Sequence, residues 1–271
     1  MKKSAIALAI SMAFGGSAYA AAFINGNFET GTDAGWTAGG GYRASLNNTN
    51  LTPDDLLPGG SLYNTTTGSY PRSAVVTQHV VPGTDGNLNA VYQGTYSYRL
   101  ENELIVGGYG SAITQRVNNY TDANIYFAWA AVLEAAHTTS DGAVFKLVLR
   151  DETAGLDIIT RTYTAASGGG GIDSRFQSSS TGYYYTSCVG GVAGCQNGWM
   201  TEQLTLTSGQ IGHDFSLSLL AADCQPTGHA GWAYLDGFGA APPSQAPEPA
   251  TLALLGLGAL GLGVSRRRKA A

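Results

Sequence analysis

The sequence predicts an all-β protein, an antiparallel two-sheet sandwich of the jelly-roll type. Short runs that alternate apolar and polar residues, rich in β-branched and aromatic side chains, recur along the chain. Turn-forming stretches such as PGTDGN, VGGYG and SGGGG separate these runs, and the chain contains 38 Gly and 15 Tyr. No convincing amphipathic pattern of helical length interrupts them. Nine or ten strands at this spacing need two packed sheets to bury their apolar faces.

The predicted strands follow one another through the second and third quarters of the chain and to its last domain residues. They cover residues 73–81, 97–102, 111–117, 125–134, 143–152, 157–165, 199–206, 215–223 and 231–238. The run IYFAWAAVLE at 125–134 has the Ala and Leu content of a helix, but its length and aromatic start favour a central strand. Residues 38–72 are polar and punctuated by Pro and Gly, which predicts a long surface excursion.

The N-terminus has the pattern of a secretory signal peptide. Lys2 and Lys3 precede an apolar stretch at 5–14, and Ala18-Tyr19-Ala20 is an A-x-A cleavage pattern. We therefore expect a signal helix in residues 1–20 that signal peptidase removes. An uncleaved anchor is the alternative, although the apolar stretch is short for one.

The C-terminus combines a Pro-Glu-Pro step, an uncharged run and a cluster of cations. Fifteen helical residues at 250–264 rise only about 22 Å, less than the roughly 30 Å of a hydrocarbon core. A transmembrane helix here is marginal in length, which suits a transient stop in the membrane. The four cations at 266–269 keep the end cytoplasmic, and the two prolines keep the preceding segment extended at the outer surface.

This tail resembles a PEP-CTERM sorting signal. The positions that carry the resemblance are Pro247, Glu248, Pro249, Arg266, Arg267 and Arg268. The resemblance implies recognition and cleavage by an exosortase in the envelope of Gram-negative bacteria. The chain then divides into a signal peptide (1–20), a jelly-roll sandwich (21–240), a linker (241–246) and the sorting signal (247–271). An ordinary C-terminal membrane anchor is the alternative.

Without its two ends the chain is strongly acidic. Residues 21–247 contain eight Lys and Arg against eighteen Asp and Glu, a net charge of −10. Bulk electrostatic attraction to nucleic acid or to another anionic polymer is thereby excluded. Such a balance suits an exported protein that recruits Ca²⁺, whose preferred ligands are carboxylate and carbonyl oxygens.

The stretch FINGNFETGTDAGW opens the predicted sandwich and resembles the start of galactose-binding-like and carbohydrate-binding jelly rolls. The matching positions are Asn25, Gly26, Phe28, Glu29, Gly35 and Trp36. The stretches 127–151 and 221–238 likewise resemble jelly-roll modules of secreted bacterial surface proteins. The resemblance implies a structural Ca²⁺ held by Glu29 and by Asp236 on the last strand. Two solvated carboxylates at strand ends are the alternative.

The three cysteines, Cys188, Cys195 and Cys224, lie in the last third of the chain. Outside the cytoplasm two of them are expected to form a disulfide and leave one thiol, and the sequence leaves the three pairings open. Since neither a CxxC motif nor clustered histidines accompany them, the sequence does not favour a metal site on these cysteines.

Several other residues are of types that bind ligands or take part in catalysis, but no sequence motif assigns them a role. His137 and His229 each follow a predicted strand and are either metal ligands, an acid/base pair or histidines bonded to the backbone. Tyr183, Tyr185 and Trp199 are candidate sugar-stacking residues, because aromatic faces meet the C–H faces of sugars. No G-x-S-x-G, HExxH or S-x-x-K motif is present.

The sequence therefore predicts a non-enzymatic, exported protein of the cell envelope or an exopolysaccharide (biofilm) matrix. We expect a structural or adhesive role, with glycan binding as a further expectation. A polysaccharide hydrolase or lyase on the same scaffold is the alternative, since eighteen acidic residues supply many possible carboxylate pairs.

Overall fold

The computed structural model describes residues 22–43, 46–64, 72–104 and 107–242. The predicted signal helix and the predicted C-terminal transmembrane helix lie outside these residues. Within the described ranges no helix has the length and apolar character needed to cross a membrane.

The described chain is almost entirely β. In order, its elements are β1 (Thr37–Tyr42), α1 (Pro53–Leu56), β2 (Ala74–Thr77), β3 (Tyr96–Leu100), β4 (Tyr109–Val117), β5 (Asn124–Glu134), β6 (Val144–Asp151), β7 (Leu156–Thr164), β8 (Phe176–Ser178), β9 (Tyr183–Thr186), β10 (Cys195–Gln196), β11 (Trp199–Thr205), β12 (Phe215–Ala222) and β13 (Gly231–Gly239).

The strands form two antiparallel sheets. The first sheet has the order β1-β4-β12-β6-β7, and the second has the order β10-β11-β5-β13-β3-β2, with β9 pairing β5 and β8 pairing β9. β13 pairs with one edge of β5. The other edge of β5 is shared by two strands: β11 pairs with residues 124–129 of β5, and β9 pairs with residues 132–134. The predicted all-β sandwich is confirmed, including the central strand at 125–134.

The main core lies between the two sheets. Alternate residues of β5, among them Phe127 and Trp129, pack there against Phe145 of β6 and Phe215 of β12, all of them fully buried. The rings of Trp129 and Phe145 stack with centroids 4.9 Å apart. Because side chains alternate along a strand, the remaining residues of β5 point to the other face of the second sheet.

That outer face of the second sheet is also buried. Ala128 and Val132 of β5 join Trp232 and Tyr234 of β13 in a second apolar cluster. The segment after β2 covers it, contributing Val81, Leu88 and Ala90. The alternating pattern of a one-sided sheet is therefore replaced in β5 and β13 by nearly continuous apolar sequence.

The prediction of a surface excursion at 38–72 is wrong for much of that segment. Residues 37–42 form β1, which pairs with β4, and α1 packs on the outer face of the first sheet. Leu51 and Leu56 are fully buried there against Leu220 of β12. Burial of these leucines stabilises the segment against the sheet, because each removes a large apolar side chain from water.

Candidate functional site

A cavity of about 320 Å³ lies where the N-terminal loop meets the end of β13. It is lined by three segments, 23–29, 93–94 and 236–241, and both carboxylates predicted to bind a cation, Glu29 and Asp236, are among its lining residues. The described lining contains neither Lys nor Arg. The cavity is thus acidic and has no basic side chain of its own to balance the charge.

The side chain of Asn25 organises the loop before β1. Its amide nitrogen donates to the carbonyls of Thr32 and Ala34, at 2.7 and 3.3 Å. Asn25 and Phe28 both have positive φ, a conformation that Asn tolerates better than most residues. Phe28 turns inward between the rings of Trp36 and Tyr98, with centroids 5.4 Å away on each side. The loop is therefore folded by its own polar groups and anchored by Phe28.

Gly26 fastens this loop to β13. Its carbonyl accepts a hydrogen bond from the backbone N–H of Phe238 at 2.9 Å. A Cβ on Gly26 would lie 1.8 Å from the carbonyl oxygen of Phe238, so only glycine permits this approach. The beginning and the end of the sandwich consequently meet at the cavity.

Asp236 lies on β13 immediately before a bulge. The register with β5 shifts between Asp236 and Gly239. Asp236 continues the outward face of Trp232 and Tyr234, whereas Phe238, also two residues on, packs in the main core. A bulge is the device by which a strand re-aims a side chain in this way.

Two buried oxygens at this cavity have no hydrogen-bond partner. They are Oδ1 of Asp236 and Oε1 of Gln93. The other carboxylate oxygen of Asp236 accepts the backbone N–H of Gln93 at 3.1 Å. Buried polar atoms are nearly always paired, so these two acceptors are able to receive a hydrogen-bond donor or a cation in the cavity.

Glu29 is held by the turn before β3. Its Oε1 accepts the backbone N–H groups of Thr95 and Tyr96 at 2.8 and 3.1 Å. Gly94 has a φ of +76°, and a Cβ on it would lie 2.4 Å from Glu29 Oε1. Glycine is therefore required beside the carboxylate.

Burial raises the pKa of Asp236 well above its usual range, and the negative charge of Glu29 raises it further. A bound cation would relieve both effects. Two carboxylates and one side-chain carbonyl, with oxygen donors only, fit Ca²⁺ better than a metal that prefers nitrogen or sulfur.

The predicted sugar platform is wrong for two of its three residues. Tyr185 and Trp199 are fully buried in the apolar cluster on the outer face of the second sheet, so neither offers a ring face to a ligand. Tyr183 is half-buried, with its ring 5.6 Å from that of Trp232. The alternation of strand β9 sends Tyr184 to the main core instead.

A pair of aromatic rings with one exposed member lies elsewhere, and sequence reasoning missed it. Tyr42 of β1 lies opposite Tyr109 of β4, with ring centroids 5.3 Å apart, and Tyr42 is 45% exposed. The guanidinium of Arg72 lies over the ring of Tyr109, 4.5 Å from its centroid. Register alone creates this pair, and register cannot be read from either strand separately.

A buried ionic network lies beneath this pair. Arg72 forms ion pairs with Glu101 and with Asp223, the latter at 3.1 Å, and both carboxylates are fully buried. Burial and the charge of Glu101 raise the pKa of Asp223 to about 8 against the opposing effect of Arg72. Sequence patterns do not reveal this network, because its members are distant along the chain.

The cysteines pair locally. Cys188 and Cys195 form a disulfide that closes the Gly-rich loop, and Cys224 is free and buried. Among the pairings that the sequence left open, the structure selects the shortest loop. Cys224 lies with His137 and His229 in one cluster, although neighbouring sequence contains no clustered histidines.

The tail matches a known sorting motif. Residues 245–269 match the PEP-CTERM protein-sorting motif, which confirms the resemblance on which the sorting prediction rests. The motif implies export to the cell envelope or surface. Its residues lie outside the described part of the chain, so the roles of Pro247, Glu248, Pro249 and the three arginines remain predictions. No curated protein matches the chain.

Solved structures with similar architecture include two carbohydrate-binding modules and a cyclase. TmCBM61 in complex with β-1,4-galactotriose is 12% identical, with a TM-score of 0.37, and the alignment covers 80% of this chain and 96% of that one. The module CBM27-1 of Caldicellulosiruptor saccharolyticus in complex with mannohexaose is 11% identical, with a TM-score of 0.34 over 79% and 93% of the two chains. A cyclase from Fischerella sp. is 10% identical, with a TM-score of 0.38 over 82% and 96%. These likenesses are too distant to assign a ligand or an activity.

Proposed function

We propose that this chain is an exported, exosortase-sorted protein whose sandwich acts as a non-catalytic structural or adhesive module of the cell surface or its exopolysaccharide matrix. The match of residues 245–269 to the sorting motif carries the proposal. The sandwich, whose second sheet is buried on both faces, supports the role of a stable module.

Sorting is tested by replacing Pro247, Glu248 and Pro249 with Ala in the producing organism. The variant is expected to keep its tail, migrate as a longer product on a gel and stay in the membrane fraction. A variant with Arg266 to Arg268 intact and one Ala change in the linker at Ser244 is the matched control. Equal mobility and equal location of variant and wild type would contradict sorting through this motif.

We further propose that Glu29 and Asp236 hold a structural Ca²⁺ in the cavity, with the side-chain oxygen of Gln93 as a third ligand. The two unpartnered buried oxygens support this assignment. Such an ion would join the N-terminal loop to β13, so that a calcium-loaded sandwich resists unfolding more than a calcium-free one.

The calcium proposal is tested by thermal unfolding after treatment with EGTA and with added CaCl₂. Calcium is expected to raise the Tm of the wild type and to leave that of Asp236→Asn and Glu29→Ala unchanged. Asp157→Asn, at an exposed carboxylate, is the control and should respond like the wild type. A wild-type Tm that ignores both EGTA and calcium would refute the site.

We propose that glycan binding takes place at Tyr42, the exposed member of the pair with Tyr109. Tyr42 offers an accessible ring, and sugar C–H faces stack on such rings. Electrophoresis through a gel that contains the exopolysaccharide of the producing cells should retard the wild type and not Tyr42→Ala. Tyr183→Ala is the control, because Tyr183 lies on the other sheet. Loss of retardation in Tyr183→Ala alone would move the site to β9.

A polysaccharide hydrolase or lyase remains the second candidate, because two carboxylates line one cavity. Against it, Asp236 is fully buried and Glu29 is bonded to two backbone amides, so neither is free to reach a glycosidic oxygen. Turnover of matrix polysaccharide that Asp236→Asn abolishes would establish the enzyme and overturn the structural role.

A further inference from the structure

A second cluster of possible metal ligands lies away from the acidic cavity, between the end of β5 and the start of β13. His137 follows β5, and Cys224 and His229 flank the turn that joins β12 to β13. Because β5 and β13 pair antiparallel, with Leu133 opposite Gly231, the residues beyond these two ends come together. The turn places Cys224 and His229 side by side.

Backbone hydrogen bonds fix the loops that carry the cluster. The N–H of Cys224 donates to the carbonyl of His229 at 2.9 Å. The backbone N–H of Ala230 donates to the side chain of Glu134 at 2.8 Å, and the N–H of Glu134 returns a bond to the carbonyl of Ala230 at 2.9 Å. The ligand-bearing turn is therefore tied to the end of β5 before any ion binds.

The distances suit a tetrahedral metal ion. The ligand atoms of His137, Cys224 and His229 all lie within 4.8 Å of one another. Sγ of Cys224 lies 3.4 Å from Nδ1 of His229. In a tetrahedral zinc site, with Zn–S of about 2.3 Å and Zn–N of about 2.0–2.1 Å, those two atoms are separated by about 3.5 Å. One edge of the coordination polyhedron is thus already formed.

His137 supplies the third candidate ligand. The rings of His137 and His229 are nearly perpendicular, with centroids 4.8 Å apart. His137 is exposed, so its side chain is free to change rotamer when an ion binds. Among the three candidate ligands, His137 is the one that is exposed to solvent.

Cys224 is available as a ligand because the other two cysteines are joined to each other. Cys224 is fully buried, so a bulky substrate cannot contact its Sγ directly. This burial argues against a cysteine nucleophile activated by His229, which would need to contact its substrate.

We propose that His137, Cys224 and His229 bind one Zn²⁺ ion, a site separate from the calcium cavity. Two imidazoles and one thiolate are the donors that zinc prefers, while the acidic cavity offers oxygen only. Binding converts the Cys224 thiol to a thiolate and releases one proton to solvent. Three protein ligands leave the fourth position of a tetrahedral ion to water or to an exogenous ligand.

The test is titration of the metal-free protein, purified without reductant and with its disulfide intact, with Co²⁺ as a spectroscopic substitute for Zn²⁺. The wild type should develop a thiolate-to-cobalt charge-transfer band that saturates at one equivalent and disappears when Zn²⁺ is added. His137→Ala should weaken Co²⁺ binding by at least about tenfold, the loss expected even for a supporting group. His79→Ala, at an exposed histidine paired with Glu103, should bind like the wild type.

Cys224→Ser should abolish the band, and because Cys224 is buried its folding is checked by circular dichroism. If that variant does not fold, His137→Ala and His229→Ala decide the question. Absence of a charge-transfer band in the wild type, or an unchanged affinity in both histidine variants, would overturn the zinc site. The charge-transfer band should persist in Glu29→Ala, which distinguishes this site from the calcium cavity. A negative result in the calcium experiment would therefore not affect the zinc result.

Discussion

Arg161 and Glu202 join the two sheets of the sandwich through two hydrogen bonds. Nε and Nη2 of Arg161, on β7, each donate to a different carboxylate oxygen of Glu202, on β11, at 2.7 Å. Trp129 Nε1 donates to the same carboxylate at 3.3 Å. A paired, two-bond contact fixes both distance and orientation, so this ion pair sets how the edge of one sheet sits on the other.

Replacing Arg161 with Lys should cost stability even though the charge is kept. A lysine makes one point contact where arginine makes two parallel bonds. We expect a coupling of about 1–2 kcal/mol between Arg161 and Glu202 in a double-mutant cycle, measured by urea unfolding. The exposed pair Arg150 and Asp157 is the control, and a coupling no larger than that of this control would contradict the prediction.

Arg72 should be far more sensitive to substitution than an exposed arginine. Arg72→Met leaves Glu101 and Asp223 buried without their cation, and breaking a buried pair in this way costs about 3–5 kcal/mol. Arg116→Met removes the exposed pair with Asp214 and should cost about 1 kcal/mol or less. Equal losses of unfolding free energy in the two variants, measured by urea unfolding, would contradict a larger contribution from the buried network.

Asp151 should make the protein sensitive to acid. Burial acts to raise the pKa of Asp151, but hydrogen bonds from the N–H of Ala154 and from His213 outweigh it and lower the pKa. A lowered carboxyl pKa stabilises the fold above the ordinary value of about 3.8 and loses that contribution as pH falls through the folded value.

The wild type is therefore expected to lose free energy of unfolding below about pH 4 more steeply than Asp151→Asn, which has no carboxyl at this position. Unfolding by urea at a series of pH values between neutrality and pH 3 measures the difference. Parallel curves for the two proteins would show that His213 and Ala154 do not hold the carboxylate charged.

Removing the disulfide should lower stability by a moderate amount. Cys188 and Cys195 are seven residues apart, and closing so short a loop contributes about 2–3 kcal/mol in the chain-entropy account. The double variant with Ser at both positions should melt at a lower temperature than the oxidised wild type and should not respond to dithiothreitol. Mass analysis of the unreduced, unfolded wild type should find one free thiol, at Cys224.

Most strands could be predicted from the sequence because their alternation is strong, and β4 to β7 and β11 to β13 lie within a few residues of expectation. β1 was missed because TAGGGY has no alternating apolar side chains. Its glycines are needed for a tertiary reason: a Cβ on Gly39 would lie 2.2 Å from the carbonyl oxygen of Leu56, and one on Gly41 1.9 Å from that of Leu62. The close approach of a covering segment, which sequence does not display, decides this strand.

The candidate sites divide in the same way. Glu29 and Asp236 were found through a resemblance, and the structure places both in the lining of one cavity. The unpartnered side-chain oxygen of Gln93 at this cavity results from tertiary packing, which the sequence does not show. The burial of Tyr185 and Trp199 was missed because a polar loop segment covers the outer face of their sheet. The gathering of Cys224 with two histidines depends on strand register, which single-sequence patterns do not fix.

The hydrogen bond between Gly26 and Phe238 lies near the end of β13 that leads to the C-terminal tail. The two ends of the molecule therefore lie at different distances from any surface that holds this tail. β13 has nine residues, and at about 3.3 Å per residue it carries the chain about 26 Å from the turn bearing His229 to this corner. In a protein that is tethered through the segment after residue 242, the acidic cavity would lie next to the point of attachment. His137 and its neighbours would face the surroundings, where dissolved ions arrive first.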